Sequence, residues 1–560
     1  MQKQWEIKET DNLSVKKLAQ ELNTSEIIAQ LLVLRGINTF EEAKAFFRPN
    51  LNHLHDPFLM KNMQHAVNRL SLAIKRNEKI LVYGDYDVDG TTSVAMMYDF
   101  LKKHTHNVEF YIPCRYEEGY GVSTKGIDYA ETNSFSLIIA LDCGTRAINQ
   151  VEYAKERGIE FIICDHHNTA KNIPNAIAIL NPKQLDCNYP YKELSGCGVG
   201  FKLIQAYSSQ NNISFEKIKE YLDLLVVSIG ADIVDMTGEN RVLAFYGLKQ
   251  INSNPRTGLK VLIEAASRTK DLTMSDIVFG IAPRINAAGR IDHASKAVEI
   301  LVEEDYNNAK LLSKGIEQNN KKRKDLDQAI TKEALAMVDE NKKSTVVFSE
   351  NWHKGVVGIV ASRLIESYYK PTIVFAEDEE LFTGSARSVH GFDIYAALLK
   401  CSHFCEKFGG HKYAAGLSVK KENLQSFINA FEEAVSEKIT IEQLSPKIEI
   451  DLEIDINSVD DKLLRIIKQF APFGPLNMQP VFISRGVFDN GYGKKIGTDN
   501  SHLRINIKTQ RGSIPAIGFG MGDVFEKIIN QKRFEICYSV QENEWQGRKT
   551  LQLILSDISS

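Results

Sequence analysis

Residues 79–90 read KILVYGDYDVDG, an apolar run that ends in three aspartates within five residues. The run is short and β-branched, which predicts a buried strand, and the stretch TTSVAMMYDFLKKH after it has the spacing of a helix. The Asp-x-Asp-x-Asp-Gly pattern also matches the opening of a calcium loop. Such a loop needs a glutamate at its twelfth position and a helix before it, whereas this chain has Met96 and a strand. Two interpretations stay open: a solvated turn, or part of a larger site.

The alternation of strand and helix continues to about residue 240. Apolar strand patterns (VEFYIP, SLIIALDCG, EFIICDHH) alternate with STKGIDYAE, AINQVEYAKERG and AIAILNP, which we assign to helices. Short apolar strands separated by helices indicate a parallel sheet covered on both faces. We therefore predict an α/β fold with a doubly wound parallel sheet.

The rest of the chain changes character twice. A polar helical region follows, in which Leu326, Ile330 and Met337 form the apolar stripe of a long connector helix. A second, smaller α/β pattern comes next, and the tail consists of spaced short strands that indicate an OB-like β-barrel. The predicted organisation is an N-terminal extension (1–74), the first α/β domain (75–240), the helical region (241–341), the second α/β domain (342–437) and the β-rich domain (445–560).

Composition does not indicate a membrane protein or a globally basic nucleic-acid binder. The net charge is −4 and the pI is near 6.4, so any site for a polyanion must be a local patch. No apolar run approaches the ~20 residues of a membrane span, and the N-terminus lacks the core of a signal peptide. Eight cysteines without a C-x-x-C pair fit a reducing compartment. We expect a cytoplasmic protein that does not bind membranes.

Ligand-type side chains recur where the predicted strands end. The four groups are Asp85, Asp87 and Asp89 after the first strand, Asp142 in LIIALDCG, Asp165, His166 and His167 in FIICDHH, and Asp232, with Asp235 behind it, in LLVVSIGADIVD. Each group alone could be a helix cap or a turn. Doubly wound sheets place their sites at the carboxyl ends of the strands, so four groups on one edge argue for a shared site.

A site of this composition suits divalent cations. Clustered carboxylates repel one another, and a bound cation removes that repulsion. Ligand sets rich in oxygen and free of thiolates favour manganese or magnesium over structural zinc. The number of carboxylates is larger than one ion needs as ligands. Two ions roughly 3.5–4 Å apart are the usual arrangement for phosphoester hydrolysis. We therefore expect two Mn²⁺ or Mg²⁺ ions in one active site.

The motifs DYDVDG, DCG, DHH and GADIVD, in this order, resemble the four motifs of the DHH phosphoesterase superfamily. GSARS (384–388) and GGHKYAAG (409–416) are similar to its DHHA1 domain. With IPCRYEEGYG, APRINAAGR and NWHKGVVGIVASRL, the chain resembles the RecJ family of that superfamily over about residues 50–560. The resemblance implies a single-strand-specific 5′→3′ DNA exonuclease whose β-rich tail is an oligonucleotide-binding fold.

The resemblance also assigns roles to the matching positions. The implied metal ligands are Asp85, Asp87, Asp89, Asp142, His166, His167 and Asp232. All of them except Asp85 are expected to be catalytic, together with His411, and Asp142 is the expected bridging ligand. The wider superfamily often has a histidine where this chain has Tyr83, so whether Asp85 binds metal directly or orients a ligand stays open. Asp165 is expected to fix a turn or to support a ligand.

An exonuclease that starts at a 5′ end also needs an anchor for phosphate. The implied substrate-binding residues are Arg115, Arg284, His353, Ser385, Arg387 and His411. Guanidinium groups suit phosphate oxygens, although each arginine could instead form an interdomain salt bridge. His353 and His411 are expected to line the cleft opposite the metals, with His411 and Arg387 at the scissile or adjacent phosphate.

The β-rich tail offers candidates for a groove that holds a single strand. They are Tyr492, Lys494, Lys495, His502 and Arg504. Such grooves combine stacking rings with basic side chains. An ordinary solvated barrel face stays open as the alternative.

One competing metal site lies in CSHFCEKFGGH. It brings the zinc-type ligands Cys401, His403, Cys405 and His411 within eleven residues. Their spacing matches none of the usual zinc motifs. The longer segment AALLKCSHFCEKFGG also has the pattern of an amphipathic helix that ends at a glycine cap, and we favour that helix.

The sequence thus predicts a metal-dependent exonuclease that degrades single-stranded DNA from its 5′ end in DNA repair and recombination. Two other functions stay open: a phosphoesterase of short oligonucleotides or cyclic dinucleotides, and a non-catalytic DNA-binding replication scaffold. The β-rich tail argues against the first and the complete ligand set against the second. We also expect a monomer that works with a helicase and a single-strand-binding protein. No role is assigned to residues 1–50.

Overall fold

The structure is a computed structural model that describes residues 3–268, 270–528 and 533–559. Its strands are β1 (Gln4–Ile7), β2 (Ile80–Gly84), β3 (Val108–Tyr111), β4 (Leu137–Leu141), β5 (Glu160–Cys164), β6 (Ala178–Leu180), β7 (Thr345–Ser349), β8 (Thr372–Asp378), β9 (Leu381–Arg387), β10 (Cys405–His411), β11 (Ala414–Lys420), β12 (Lys447–Ile450), β13 (Leu452–Glu453), β14 (Phe482–Val487), β15 (Lys494–Ile496), β16 (His502–Thr509), β17 (Gly512–Gly518), β18 (Phe534–Trp545) and β19 (Arg548–Ser559). Its α-helices are α1 (Asn12–Leu22), α2 (Glu26–Val33), α3 (Phe40–Phe47), α4 (Met63–Lys75), α5 (Val88–Lys102), α6 (Thr124–Thr132), α7 (Ile148–Lys155), α8 (Gly196–Gln210), α9 (Phe215–Ile218), α10 (Leu222–Asp232), α11 (Gly238–Ser253), α12 (Thr257–Ala265), α13 (Met274–Asp276), α14 (Ala282–Ile291), α15 (Ser295–Val302), α16 (Tyr306–Ala336), α17 (Val357–Tyr368), α18 (Ile394–Lys400), α19 (Leu424–Ser436), α20 (Asp461–Lys468) and α21 (Phe525–Ile528).

The chain divides into two compact units, each made of separate segments. The first unit comprises Ala45–Arg323 and Ala471–Met478, and the second comprises Met1–Lys44, Lys324–Phe470 and Gln479–Ser560. The segment predicted as an N-terminal extension therefore contributes to both units. No α-helix within the described ranges is both long and apolar enough to span a membrane.

The first unit is built on a parallel sheet. The strand order is β3–β2–β4–β5–β6, and every neighbouring pair is parallel. Alternate strand residues enter two cores: Val82 and Ile139 pack with α4, α5 and α8, whereas Leu81 and Ile138 pack with α6 and α7. The sheet is covered on both faces, which confirms the doubly wound α/β fold. Because the strand order reverses between β2 and β4, a crevice is expected at their carboxyl ends.

Two assignments in this unit are wrong. AIAILNP, assigned to a helix, contains strand β6, which pairs with β5. LLVVSIGAD, taken as a strand, lies in helix α10, whose residues Leu222–Gly230 are all buried. An apolar run buried on all sides has no periodicity that separates a strand from a helix. Asp232 therefore ends a helix and not a strand.

The second unit contains a mixed sheet that belongs to the smaller α/β domain. Its strand order is β10–β11–β9–β8–β7, in which only β7 and β8 are parallel. Helices α18 and α19 pack in one core and α17 in another. Ile330 and Ala334 of α16 join the α17 core, but Met337 lies beyond the end of α16 and is exposed. The predicted apolar stripe of the connector helix is therefore completed by Ala334 and not by Met337.

The C-terminal strands form one seven-stranded sheet. Its order is β13–β14–β18–β19–β17–β16–β15, with parallel pairs only at β13–β14 and β17–β19. Within the described residues no strand pair joins the edge strands β13 and β15, so the sheet is not a closed barrel. Two backbone hydrogen bonds join the segment after β14 to β16 and so partly close the sheet. Lys508 N donates to Phe488 O at 3.1 Å, and Asn490 N donates to Asn506 O at 2.9 Å.

The N-terminal strand belongs to this C-terminal region. β1 pairs in parallel with β12, and Trp5 Nε1 donates to Asp557 Oδ2 at 2.8 Å. Trp5 also packs on Ile450 and Ile483. The opening of the chain, to which the sequence assigned no role, thus stabilises the β-rich domain.

Candidate metal centre and phosphate-binding residues

The predicted metal ligands come together at the carboxyl end of the parallel sheet. Three aspartates follow β2, Asp142 follows β4, and the histidine pair follows β5. Asp232 reaches the same place from the end of α10, which packs against α5. Three sets of side chains have ligand atoms within 4.8 Å of one another: Asp85, Asp87 and Asp142; Asp89, His166 and Asp232; and Asp142, His166 and His167.

His166 and Asp142 connect these sets. His166 Nε2 lies 3.2 Å from Asp142 Oδ1, 3.6 Å from Asp232 Oδ2 and 3.8 Å from Asp89 Oδ2. Asp142 belongs to two of the three sets, and its backbone is left-handed, with φ 59°. Aspartate tolerates that conformation better than most residues do.

Several ligand atoms of the cluster are buried without a partner. Asp85 Oδ1, Asp142 Oδ1 and both ring nitrogens of His166 find no hydrogen bond in the part of the chain that the structure describes. Each such buried polar atom costs about 1–3 kcal/mol. A divalent cation would satisfy these atoms, so the residues present fit Mn²⁺ or Mg²⁺.

Burial and mutual repulsion shift the pKa values of the cluster. Burial, and then the charge of Asp87, raises the pKa of Asp85 well above its usual value. Burial and then the charge of Asp89 raise the pKa of Asp87, of Asp142 and of Asp232, the last to about 8. Burial lowers the pKa of His166, which favours the neutral imidazole that binds metals. A bound cation would oppose these upward shifts, because it favours the ionised form of each carboxyl group.

Asp165 supports the histidine pair. Its Oδ1 accepts hydrogen bonds from His166 N at 2.8 Å and His167 N at 3.1 Å, and lies 2.7 Å from His167 Nδ1. Burial raises the pKa of Asp165, but the bonds to His167 and Thr145 outweigh burial and lower it. Asp165 belongs to none of the three ligand sets found in the described residues, in agreement with the supporting role expected for it.

Tyr83 faces away from the cluster. Side chains alternate along β2, and Tyr83 lies in the core beneath α6 and α7. Its hydroxyl donates to Gly121 O at 3.0 Å and accepts from Ser123 N at 3.1 Å. Tyr83 therefore holds the loop after β3 and does not occupy the place of a histidine ligand, whereas Asp85 lies within the cluster.

The start of helix α8, SGCG at residues 195–198, also belongs to the site and was missed. Gly196 N and Cys197 N donate to Asp89 at 2.7 and 2.9 Å. A Cβ atom at Gly196 would lie 2.6 Å from Asp142 Cβ. The available signal was a serine cap followed by glycines, which allow close approach at a helix start.

The quoted motifs IPCRYEEGYG and APRINAAGR contain the missed residues Tyr120 and Arg290 as well as the predicted phosphate ligand Arg115. Tyr120 OH lies 3.2 Å from Asp142 O and 3.1 Å from His167 Nε2. The guanidinium of Arg115 stacks over the ring of Tyr86 at 4.7 Å. Burial raises the pKa of Tyr86 to about 12, and the charges of Arg115 and Arg290 oppose that rise. Burial also raises the pKa of Asp85, and the charge of Arg115 opposes that rise as well.

Arg284 is engaged by other groups of the first unit. Its guanidinium forms an ion pair with Glu317 and donates to Gly280 O at 2.6 Å and to Ala265 O at 3.3 Å. Only 12% of its side chain is exposed. These contacts favour the salt-bridge alternative, within one unit, and the role of Arg284 in substrate binding stays a prediction.

In the second unit, the predicted phosphate ligands share one face of the mixed sheet. Ser385 and Arg387 alternate with buried residues along β9. Arg387 lies opposite Ala414, which lies opposite His411, so Arg387 and His411 stand in one row two strands apart, about 10 Å. The sheet register therefore brings together residues that are distant in sequence.

The same face meets the start of α17. A Cβ atom at Gly358 would lie 3.0 Å from both Arg387 Nη2 and Ser385 Oγ. Arg387 Nη1 donates to Ser385 Oγ at 2.9 Å, and His353 Nδ1 accepts from Gly355 N at 3.0 Å just before the helix. A helix start beside an arginine and a hydroxyl is a common arrangement for phosphate.

The zinc-type residues do not form a site in the described chain. α18 ends at Lys400 and β10 begins at Cys405, so the helix favoured for this segment is wrong beyond its first third. The segment pairs with β11, and Gly410 has φ 151°, a backbone conformation that glycine tolerates and that residues with a side chain rarely adopt. Cys401, His403 and Cys405 belong to none of the ligand sets found in the residues described.

In the C-terminal sheet, three of the five groove candidates are exposed. They are Tyr492, Lys494 and Arg504, and the last two lie opposite each other on β15 and β16. Lys495 pairs with Glu526 at 3.2 Å. His502 packs edge-on against Phe519 at 5.4 Å, an exposed ring that was not predicted. Rings and cations are thus mixed on this face.

Comparison with known proteins agrees with these features. Residues 79–229 match the DHH family, N-terminal domain, residues 340–437 match the DHHA1 domain, and residues 450–557 match the RecJ OB domain. The three matches follow the predicted order of domains.

Similar proteins extend over nearly the whole chain. The single-stranded-DNA-specific exonuclease RecJ of Bacillus subtilis (strain 168) is 37% identical, over 99% of this chain and 70% of its own length. That of Haemophilus influenzae is 30% identical over 97% of each chain. The crystal structure of RecJ from Thermus thermophilus in complex with Mn²⁺ matches with a TM-score of 0.87 and 25% identity, over all of this chain and 79% of that one. The chain therefore belongs to the RecJ family of single-stranded-DNA-specific exonucleases.

Proposed function

We propose that this protein is a metal-dependent exonuclease that hydrolyses the phosphodiester bonds of single-stranded DNA in the 5′→3′ direction. The observation that carries the proposal is the buried cluster of carboxylates and imidazoles whose ligand atoms have no partner in the described residues. Its relatives from Bacillus subtilis and Haemophilus influenzae are named single-stranded-DNA-specific exonucleases. A non-catalytic scaffold would have no use for such a costly cluster.

The overlap of the three ligand sets supports two cations. Asp85, Asp87 and Asp142 would hold one ion, and Asp89, His166 and Asp232 the other, with His167 beside both. Bound Mn²⁺ or Mg²⁺ supplies Lewis-acid chemistry, activation of the attacking water and stabilisation of the leaving oxygen. Asp165 orients His167 through Nδ1, and Tyr120 holds the carbonyl of Asp142, so both ligands are fixed before substrate arrives.

Cationic side chains supply the binding of phosphate. In the first unit, Arg115 stacks over Tyr86, which follows Asp85, and the carbonyl of Arg290 accepts a hydrogen bond from Tyr116; we assign both cations to the DNA backbone. In the second unit, Arg387, Ser385 and His411 share a sheet face, and we assign to them the grip on the terminal or scissile phosphate. Arginine forks bind phosphate oxygens in pairs, which gives orientation as well as affinity. An anchored 5′ phosphate would set the direction of cleavage.

The β-rich domain would hold the strand that has not yet been cleaved. Tyr492 is 77% exposed and Phe519 is 62% exposed, and Lys494 and Arg504 lie on the strands near them. Rings stack on bases of any sequence, and the cations follow the backbone. A phosphoesterase of dinucleotides would not need such a surface.

A nuclease restricted to single strands needs other proteins to supply its substrate. We therefore propose that it acts with a helicase and a single-strand-binding protein in DNA repair and recombination. We also propose that it is a monomer in the cytoplasm. The helicase opens a duplex, and the binding protein keeps the product single-stranded.

The decisive experiment uses single strands labelled at one end or the other. We expect mononucleotides from the 5′ end with Mn²⁺ or Mg²⁺, no cleavage with chelator, and no cleavage of a blunt duplex. A cyclic dinucleotide tested beside a strand of about twenty nucleotides should be the poorer substrate. Degradation from 3′ ends, or preference for the dinucleotide, would overturn the proposal.

A further inference from the structure

Asp89 is held by three donors that lie behind the metal cluster. Its Oδ2 accepts from Gly196 N at 2.7 Å, and its Oδ1 accepts from Cys197 N at 2.9 Å and from Ser228 Oγ at 2.7 Å. The side chain is 1% exposed, so water cannot replace these donors. A carboxylate has about four acceptor positions, two on each oxygen. Three donors leave one position, and it is on Oδ2.

Ser228 supplies the side-chain donor. It is fully buried on α10, one helical turn before Asp232, and therefore on the same helix face as that ligand. Its Oγ lies 2.7 Å from Ser195 Oγ, and Ser195 Oγ accepts from Gly198 N at 3.1 Å. An ionised Asp89 can only accept, so Ser228 donates to Asp89 and accepts from Ser195. The hydrogen bonds therefore form one chain: Gly198 N donates to Ser195, Ser195 donates to Ser228, and Ser228 donates to Asp89.

We propose that Ser228, oriented by Ser195, is a positioning residue that holds Asp89 with its Oδ2 atom toward the metal. The proposal rests on the proposed function, since it assumes a cation beside Asp89. The hydroxyl of Ser228 is fully buried and contacts Asp89 and Ser195, and Ser228 belongs to none of the three ligand sets found in the described residues, so we assign it no catalytic role. Asp89 Oδ2 is the oxygen that lies 3.8 Å from His166 Nε2, so the orientation that Ser228 fixes presents Asp89 to the same set as His166 and Asp232.

Loss of the Ser228 hydroxyl would leave Asp89 Oδ1 with one donor. Each oxygen would then have a free acceptor position, and the side chain could turn without losing a second bond. Removing an outer partner of a metal ligand typically costs about 10–100-fold in metal affinity or activity. The effect belongs to metal binding first and to activity only through it.

The test measures Mn²⁺ binding to the metal-free full chain, by electron paramagnetic resonance of the free ion. We expect Ser228→Ala and Ser228→Cys to weaken Mn²⁺ binding about tenfold or more, since a thiol is a weak donor. Ser228→Thr keeps the hydroxyl and should stay within about threefold of the parent. Ser208→Ala is the matched control, because Ser208 is 1% exposed on α8 and its hydroxyl has no partner among the described residues.

A double variant tests whether Ser195 acts on Asp89 through Ser228. Ser195→Ala should weaken Mn²⁺ binding more in the parent than in the Ser228→Ala background, because part of its effect passes through Ser228 and only the rest through its cap of α8. Unchanged Mn²⁺ binding by Ser228→Ala and Ser228→Cys would overturn the positioning role, as would an equal loss in Ser208→Ala. If the parent chain itself does not bind Mn²⁺, the proposed function fails, which is a different result.

Discussion

Asp142 is constrained through both its backbone and its side chain. Its backbone is left-handed, the whole residue is 2% exposed, and its Oδ1 is without a hydrogen bond among the described residues. Gly196 lies directly against its side chain, and Tyr120 holds its carbonyl oxygen. At the residue scale, the site consists of groups whose own environment is unfavourable until a cation is bound.

Asp142→Asn should separate activity from stability. Loss of the carboxylate should reduce Mn²⁺-dependent nuclease activity by at least about 10²–10³-fold. The metal-free variant should nevertheless melt at a higher temperature than the parent, because one charge leaves a buried, repulsive cluster. Nuclease assays and thermal unfolding in chelator measure the two effects. Asp235→Asn, outside the three ligand sets, is the control, and full activity of Asp142→Asn would contradict the assignment.

Gly196→Ala should impair metal binding, because the added methyl group crowds Asp142. The added methyl would lie 2.6 Å from Asp142 Cβ, so Asp142 or the start of α8 must move. We expect Mn²⁺ binding to weaken by about tenfold or more, as measured by titration of the metal-free protein. Gly315→Ala on α16 is the control, because open space surrounds a methyl there and alanine favours a helix. Equal metal affinity in both variants would refute the close contact.

At the scale of elements, sheet register brings together residues that are distant in sequence, which no local motif can do. In the mixed sheet, the pairing of β9, β11 and β10 places Arg387, Ala414 and His411 in one row. In the C-terminal region, the parallel pair β1–β12 joins the first residues of the chain to the last domain. A slip of one residue in either register would turn these side chains to the opposite face.

Arg387→Ala should impair substrate binding and leave the metal centre intact. Loss of charge-assisted hydrogen bonds to phosphate should raise KM for a 5′-phosphorylated strand about 10–100-fold. Arg387→Lys should recover little of this, because lysine lacks the planar fork. Mn²⁺ affinity should be unchanged. Lys420→Ala, an exposed cation on the neighbouring strand β11, is the control, and a KM equal to that of the control would argue against the phosphate role.

Trp5→Ala should destabilise the β-rich domain. The change removes the hydrogen bond to Asp557 and the packing on Ile450 and Ile483, a loss of about 2 kcal/mol in the free energy of unfolding. Trp5→Phe should keep most of the packing and lose only the hydrogen bond. Denaturant unfolding should rank the free energies of unfolding as parent, then Trp5→Phe, then Trp5→Ala. Leu13→Ala is the control, because its side chain is 79% exposed and its loss should not change stability. Stability unaffected by Trp5→Ala would mean that β1 does not hold this domain.

For the whole molecule, metal, protons and folding are linked. Burial, and then Asp89, raises the pKa of Asp232 from 3.8 to about 8, so the folded metal-free chain binds a proton that the unfolded chain releases at lower pH. Stability of the metal-free protein should therefore fall as the pH rises from about 4 to about 8.

A cation should reverse this dependence. Because it replaces the protons of the cluster, the gain in Tm on adding Mn²⁺ should be larger at pH 8 than at pH 6. Thermal unfolding at both pH values, with Mn²⁺ and with chelator, measures the difference. Asp142→Asn should show a much smaller gain. A gain that is larger at pH 6 would contradict the linkage.

Sequence alone was sufficient for the order of the domains, the parallel sheet and the acidic and histidine side chains that cluster at its edge. Strand and helix periods are local properties, and carboxylates or histidines after apolar runs mark the end of a strand. The same reasoning failed where burial removes periodicity: α10 was taken as a strand and β6 as a helix.

Only the tertiary structure decided how the ligands are supported. Tyr83 turns to the far face of the sheet, while Gly196 and Ser228 hold Asp89 from positions more than one hundred residues away. No sequence pattern predicts those contacts, because they depend on how α8 and α10 pack against α5, which carries Asp89. The chemistry of the candidate site follows from which residues are present, whereas its geometry follows from long-range packing.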